Sequence, residues 1–295
     1  MGLMQNDRVL GALSIFTDRP HRFTEFEIQA FHAIANQIGV AIHLVQLHEE
    51  RVEIERLESE LSIASQIQQN LMPTRTPDIN GFDFAAGTVP CNAIGGDFFD
   101  FIDLENSNLG IAVGDVSGKG IPASLLMATV RTALRVQAEH VYDMREVIGR
   151  VNRSLCGDTR PDQFATLFYS VLNTQESELT YVNAGHNYPI LFRGNTVQTL
   201  KEGGCPLGLF PNSDFSEGKV QIVSGDLLMI YTDGYPEAGD SEREFFGEDR
   251  LIQCVQKFRD LPAKEIVRQL EAEVSSLLCL CPSISRLLEC LHCCC

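Results

Sequence analysis

Carboxylates set at the ends of apolar runs are the feature of this chain that could do chemistry. Asp97 sits in Gly95-Gly96-Asp97-Phe98-Phe99-Asp100, Asp115 in Gly114-Asp115-Val116-Ser117-Gly118-Lys119-Gly120, and Asp233 in Tyr231-Thr232-Asp233-Gly234. The runs Leu109–Val113 and Asp226–Tyr231 lead into two of these acids and read as short buried strands closed by glycine turns. Acids far apart in sequence can therefore converge at strand ends. Mg²⁺ and Mn²⁺ prefer oxygen ligands, and crowded carboxylates resist ionising together unless a cation compensates them. A lone Asp-Gly is equally a hairpin turn, but three motifs of this form favour a hard-cation site.

Other chemistries fit less well. The Gly114–Gly120 segment is not a nucleotide loop, because Val113 stands where the first glycine is needed and Gly120 follows the lysine. Lys119 could meet a phosphate near a helix beginning around Pro122, although a solvated lysine is the simpler reading. His186, in Asn183-Ala-Gly-His-Asn187, offers a general acid, yet Asn, Gly and Pro so close together describe a tight turn. Asp100 and Asp103 read as exposed turn acids rather than supports of Asp97. Cys205 has no basic neighbour in sequence that would activate a thiolate.

The chain has 295 residues, is 44% hydrophobic and carries a net charge of −17. A sizeable core and more than one domain are expected. Such acidity disfavours nucleic acid and anionic membrane as partners. No uninterrupted apolar stretch reaches the roughly 18 residues of a membrane span, and no basic-then-apolar leader is present, so a cytoplasmic location is expected. Four of the ten cysteines are scattered before residue 279 and six crowd the last 17 residues, which suits a reducing compartment better than a disulfide framework.

These acids must be held by a layered α+β domain. Strands are expected at 82–88, 98–102, 109–113, 166–172, 179–182, 190–192, 220–222 and 227–231, with helices at 122–139 and 144–155 between them. Upstream, Val9–Phe16 reads as a strand, and Thr24 with Glu27 three residues on has the spacing of a helix-capping box. Helical pattern then runs to Met72, where Pro73 and Pro77 stop it. Heptad a positions at Val40, Leu47, Ile54, Leu61 and Gln68, with d positions at His43, Glu50, Leu57, Ala64 and Leu71, give a seam apolar in its middle and polar at its flanks, which allows a two-stranded coiled coil or a single packed helix.

From about Glu53 to Leu278 the chain resembles the metal-dependent serine/threonine protein phosphatases of the PPM type, in the bacterial branch similar to sporulation-stage-II-E and sigma-regulator phosphatases. The resemblance rests on the three acidic motifs together with Ala64-Ser-Gln-Ile-Gln-Gln-Asn-Leu-Met-Pro73, Asn183-Ala-Gly-His-Asn187, Pro206-Leu-Gly-Leu209 and Phe246-Gly247-Glu-Asp-Arg-Leu251. It implies a β-sandwich flanked by helices and two Mn²⁺ or Mg²⁺ ions in a cleft at one sandwich edge. Carried residue by residue, it makes Asp115 the bridging ligand with the Val116 carbonyl on one ion, and Asp97 and Asp233 ligands of the other. The implied reaction is in-line attack of a metal-bound water on a phosphoserine or phosphothreonine ester. The implied substrate is a phosphorylated STAS-type anti-sigma-factor antagonist.

Val9–Leu44 resembles the C-terminal part of a GAF sensory domain. The resulting division is a GAF fragment at 1–45, a linker helix at 46–72 that would form a homodimer, a phosphatase domain at 73–278 and an aberrant cysteine-rich tail at 279–295. The phosphatases of this branch end on an Asp-bearing strand, whereas residues 279–295 contain no Asp. On this reading the final strand is missing, leaving an open sheet edge, lower stability and impaired activity. The competing function is a catalytically impaired signalling scaffold with a degenerate phosphatase fold.

Overall fold

The computed structural model describes residues 2–5, 8–89, 94–141, 143–239, 245–277 and 286–293. The chain divides into two compact units, Met1–Ile63 and Ala64–Cys295. The first holds a hairpin of β1 (Gly2–Gln5) and β2 (Arg8–Ala12), followed by most of α1 (Glu25–Leu71). The capping box is present: the Thr24 N–H donates to Glu27 Oε2 at 2.8 Å, and the Glu27 N–H donates back to Thr24 Oγ1 at 3.3 Å. With no glycine pair or proline to break it, α1 runs for 47 residues. By length and composition it could cross a membrane, with a window of mean hydropathy 1.3. That corrects the expectation from uninterrupted apolar runs, because residues 28–45 are broken only by uncharged Gln, His and Asn.

The second unit is a β-sandwich with a helix pair on each outer face. One sheet contains β4 (Phe98–Leu104), β5 (Asn108–Val116), β6 (Ala165–Asn173), β7 (Glu178–Ala184) and β10 (Gly203–Gly204), with β11 (Gly218–Gln221) also on β7. The other has the order β3 (Phe82–Val89), β13 (Arg286–Cys293), β12 (Leu227–Tyr231), β8 (Ile190–Arg193) and β9 (Thr196–Thr199). Helices α2 (Ile121–His140) and α3 (Met144–Asp158) cover the first sheet, and α4 (Glu248–Phe258) and α5 (Ala263–Leu277) the second.

Strand alternation explains three separate cores. Along β5, Leu109, Ile111 and Val113 enter the space between the sheets, while Ala112 and Val116 meet α2 and α3. Along β6, Phe168 and Leu172 face the other sheet, and Leu167 and Tyr169 face the helices. Ser170 occupies an inter-sheet position, fully buried, and its hydroxyl has no hydrogen-bond partner among the described residues. An unsatisfied buried hydroxyl costs more than a methyl group there. Ser170→Ala should raise the unfolding free energy by roughly 1 kcal/mol, seen as a higher urea midpoint at unchanged slope; a lower midpoint would refute this account.

The terminus departs from expectation. Arg286–Cys293 is not a loose tail but strand β13, paired antiparallel with β3 over eight residues and with β12 over five. The expected missing strand and open edge are therefore corrected. Backbone pairing requires extended chain rather than one side-chain set, and the run Arg-Leu-Leu-Glu-Cys-Leu-His-Cys tolerates it. Cys293 is buried in the inter-sheet core, and its N–H donates to the Asp226 carbonyl at 3.0 Å. The absence of Asp from 279–295 stands; the segment 278–285 lies outside the described residues.

Candidate metal centre

The strand pattern that builds the cores also delivers the acids. Phe98 pairs with Gly114 across β4 and β5, so Asp97, one residue before β4, lies opposite Asp115 near the end of β5 at the same sandwich edge. Asp97 shares the parity of Phe99, and Asp115 that of Val113, both inter-sheet residues. From the opposite sheet, β12 ends at Tyr231, and the Thr232 hydroxyl donates to Asp97 Oδ2 at 3.4 Å. Asp233 follows and lies close enough to both other acids to shift their protonation. Two neighbouring motifs and a third more than a hundred residues further along the chain thus meet at one edge.

Asp97 is only 7% exposed. Burial first, then Asp115 and Asp233, hold its carboxyl well above the ordinary carboxylate range. Burial also raises Asp115, while its hydrogen bond with Asp97 opposes that rise, so the two carboxyls hold a proton between them. Burial raises Asp233 too, partly offset by the Gly234 N–H. No salt bridge to these three acids forms among the described residues. Their proton stands where positive charge is needed.

Neighbouring backbone completes an oxygen-rich pocket. A Cβ added to Gly96 would lie 2.5 Å from the Val116 carbonyl oxygen and 3.2 Å from Asp115 Oδ1, so a glycine is required and the Val116 carbonyl faces the Asp97 loop. One buried and two half-buried carboxyls with no basic partner among the described residues, plus a carbonyl oxygen, form the donor set that a hard divalent cation takes. Among the described residues no three His, Cys, Asp or Glu side chains already surround a common ligand point; Asp97 and Asp115 are instead drawn together by their proton.

Several residues in and around the site escaped the sequence reading. Glu237 sits one turn beyond Asp233, its N–H bonded to the Asp233 carbonyl at 2.9 Å. Its carboxyl is raised by burial and by Asp233, and it acts in turn on Asp115. Gln68, near the end of α1, clips the Asp97 loop: its Nε2 donates to the Gly95 carbonyl at 2.7 Å and its Oε1 accepts the Gly95 N–H at 3.2 Å. The Ala64–Pro73 motif was the available signal for the second, and the i to i+4 spacing from Asp233 for the first.

Asp100 is a correction. It is 0% exposed rather than a turn acid and receives Arg135 Nε at 2.5 Å and Nη2 at 2.6 Å, with Arg131 Nη2 at 3.2 Å. Arg131 Nε lies 3.0 Å from Oδ2 but too obliquely to donate. Asp100 thereby ties α2 to the strand that starts at Asp97. Asp103 is exposed, as expected.

His186 belongs to the turn reading. Gly185 adopts a positive φ of 70°, and the His186 N–H donates to Asn183 Oδ1 at 2.7 Å. The imidazole is 4% exposed, with Nδ1 2.8 Å from Thr166 Oγ1. Burial pushes its pKa down to about 4, against a smaller opposing effect of the Tyr231 backbone, so it is neutral and shut away from a leaving group. Lys119 is exposed, and Cys205 Sγ lies 3.0 Å from Ser213 Oγ. Asn152, fully buried on α3, holds the loop after Pro206 by accepting the Gly208 N–H at 2.9 Å and donating to the Phe210 carbonyl at 2.8 Å.

Comparison with known proteins agrees with this fold. Residues 105–281 match the family model described as Stage II sporulation protein E (SpoIIE). The chain is 27% identical over 246 residues to the phosphoserine phosphatase RsbU of Bacillus subtilis, covering 81% of this chain and 73% of that one. Its fold is similar to that of the SiaA-PP2C domain of Pseudomonas aeruginosa, with a TM-score of 0.73 at 20% identity over 81% of this chain and 98% of that one. It is also similar in fold to the serine/threonine protein phosphatase PstP, solved in complex with two manganese ions, with a TM-score of 0.53 at 13% identity over 72% and 97%.

Proposed function

Because this chain belongs to the Stage II sporulation protein E family and is a PPM-type phosphatase, we propose that it dephosphorylates a phosphoserine on a STAS-type regulatory protein, an anti-sigma-factor antagonist. The observation that carries the reading is the convergence of Asp97, Asp115 and Asp233, without basic partners among the described residues, at one sandwich edge. Relatives named as phosphoserine phosphatases support the substrate class.

Two Mn²⁺ or Mg²⁺ ions would be held by Asp97, Asp115, the Val116 carbonyl and Asp233, with Glu237 alongside. Bound there, such ions neutralise phosphoryl charge and acidify a water for in-line attack. The protein's own part is to position these oxygens. Asp97 gives up the proton it shares with Asp115, Thr232 steadies its freed oxygen, and Gly96 keeps the Val116 carbonyl open to the site. Lys119, exposed just before the N-terminus of α2, is placed to attract an anionic substrate.

Regulation would enter through α1. Val40, Leu47, Ile54 and Leu57 are exposed along its heptad seam, which supports a homodimer through residues 40–72; a GAF-derived segment at 1–45 and a cytoplasmic location complete the proposed arrangement. The Gln68 clip on Gly95 gives the end of that helix a direct hold on the Asp97 loop.

The test is Mn²⁺-dependent release of phosphate from a phosphoserine STAS protein, compared with an aryl phosphate and with the Asp115→Ala variant. Turnover of the phosphoprotein that vanishes with the substitution is expected. Release from the aryl phosphate alone would move the assignment to small phosphoesters, and background release from both chains would refute it.

A further inference from the structure

A cavity of about 380 Å³ opens at the other end of α2 from the metal centre. Asp115 precedes the first turn of α2, whereas Glu139 and His140 of its last turn line the cavity, about 30 Å along a 20-residue helix. The size falls within the roughly 300–1,000 Å³ typical of small-molecule sites. Leu104 at the end of β4, Val171 on β6, and Met144 and Val147 on α3 supply apolar walls.

Tyr169 marks this as a site rather than a packing gap. It is 1% exposed and lines the cavity, yet its hydroxyl has no hydrogen bond among the described residues. Its hydroxyl is not one of the sealed polar atoms of the core; it opens onto the cavity, where a polar ligand atom can meet it. The charged groups around it are mainly acidic. Asp103 and Glu139 line the cavity and both act on Arg135, but Arg135 is committed to Asp100. The C-terminal end of α2 adds partial negative charge. At the N-terminus of α3, Asp143 accepts the Arg145 N–H at 2.9 Å and offsets the opposite dipole. His140 is the remaining titratable group on the lining besides Glu105.

We infer that this cavity binds a small organic cation, an amine or amidine on an apolar body. The head meets Asp103 and Glu139 and hydrogen-bonds the Tyr169 phenol, while the body packs against Leu104, Val147 and Val171. The site is separate from the metal centre and contributes nothing to the proposed phosphoryl chemistry.

Benzamidine is the probe, with benzoate as the anionic control, titrated into the full chain and followed by thermal shift and calorimetry. Benzamidine should bind saturably, with a dissociation constant on the order of 1 mM or below, and benzoate should not. Tyr169→Phe removes only an unpartnered oxygen, so it should fold normally, keep basal phosphate release and weaken benzamidine about fivefold, the worth of one hydrogen bond. Val147→Phe, which fills the cavity, should abolish binding. Asp115→Ala should bind benzamidine as the parent does, placing the probe away from the acidic centre. Equal binding of benzoate, loss of binding in Asp115→Ala, unchanged affinity in Tyr169→Phe, or protection by a basic peptide but not by benzamidine would each overturn the inference.

Discussion

Asp97→Asn is expected to abolish metal-dependent turnover while making the metal-free protein more stable. The two effects share one cause. Asp97 is buried against Asp115 and Asp233, which keeps its carboxyl protonated well above the usual range, so the asparagine amide can reproduce the hydrogen bond to Asp115 without a titratable group. As a ligand, however, a neutral amide is much poorer than a carboxylate. Activity should fall by more than roughly 100-fold, since loss of a group that merely supports a ligand already costs about 10- to 100-fold.

The pH dependence follows from the same shift. Unfolded, Asp97 titrates near the ordinary aspartate value of 3.8; folded, it titrates well above it. The native state therefore binds more protons across that interval, and its stability falls as pH rises. The stabilisation is fully present below the unfolded value and is lost as pH rises through the folded one. Metal-free parent protein should lose thermal stability from about pH 4 towards neutrality, with a shallower slope for Asp97→Asn, and Mn²⁺ should restore the parent alone. Thermal melts with and without Mn²⁺ across this range check it; a variant less stable than the parent, with the same slope, would refute the shared-proton account.

How much of this could be read in advance depended on where the information lies. Strands such as Leu227–Tyr231 announce themselves through continuous aliphatics, and α2 and α3 through alanine and leucine spacing, so their limits came within a few residues. The acids at Asp97, Asp115 and Asp233 were legible because glycine turns mark strand ends, and structure brings them together as pattern alone suggests. Asp100 was misjudged because sequence shows only its neighbours, whereas its burial is set by Arg131 and Arg135 more than thirty residues away. Helices α4 and α5 were not placed individually, though their buried Leu251, Val255, Ile266, Leu270 and Val274 follow helical spacing. Strand β13 was hidden because cysteines and a missing Asp drew attention to composition, while pairing with β3 and β12 is a backbone property.

Asp100→Ala should be the most destabilising single change among the acids of the catalytic unit, at about 3–5 kcal/mol. The carboxylate is wholly buried and faces two guanidinium groups, and removing it strands the charge of Arg131, whose side chain is 13% exposed, between α2 and the sheet, while Arg135 at 37% retains access to water. Arg135 retains only the Phe101 carbonyl at 3.0 Å among its present contacts to β4. Because Asp100 lies three residues from Asp97, and α2 begins just after the Asp115 loop, slackening here should also raise the Mn²⁺ concentration needed for half-maximal activity. The cost is one of unpaired charge rather than of lost attraction, and that distinction can be measured. Replacing all three together, Asp100→Leu with Arg131→Met and Arg135→Met, should recover most of the stability, because apolar residues of similar volume can replace a buried ion cluster. Urea unfolding of the single and triple variants decides it: a loss below about 1 kcal/mol in Asp100→Ala, or a triple variant no more stable than the single one, would mean that the cluster does not hold α2 to the metal-bearing strand.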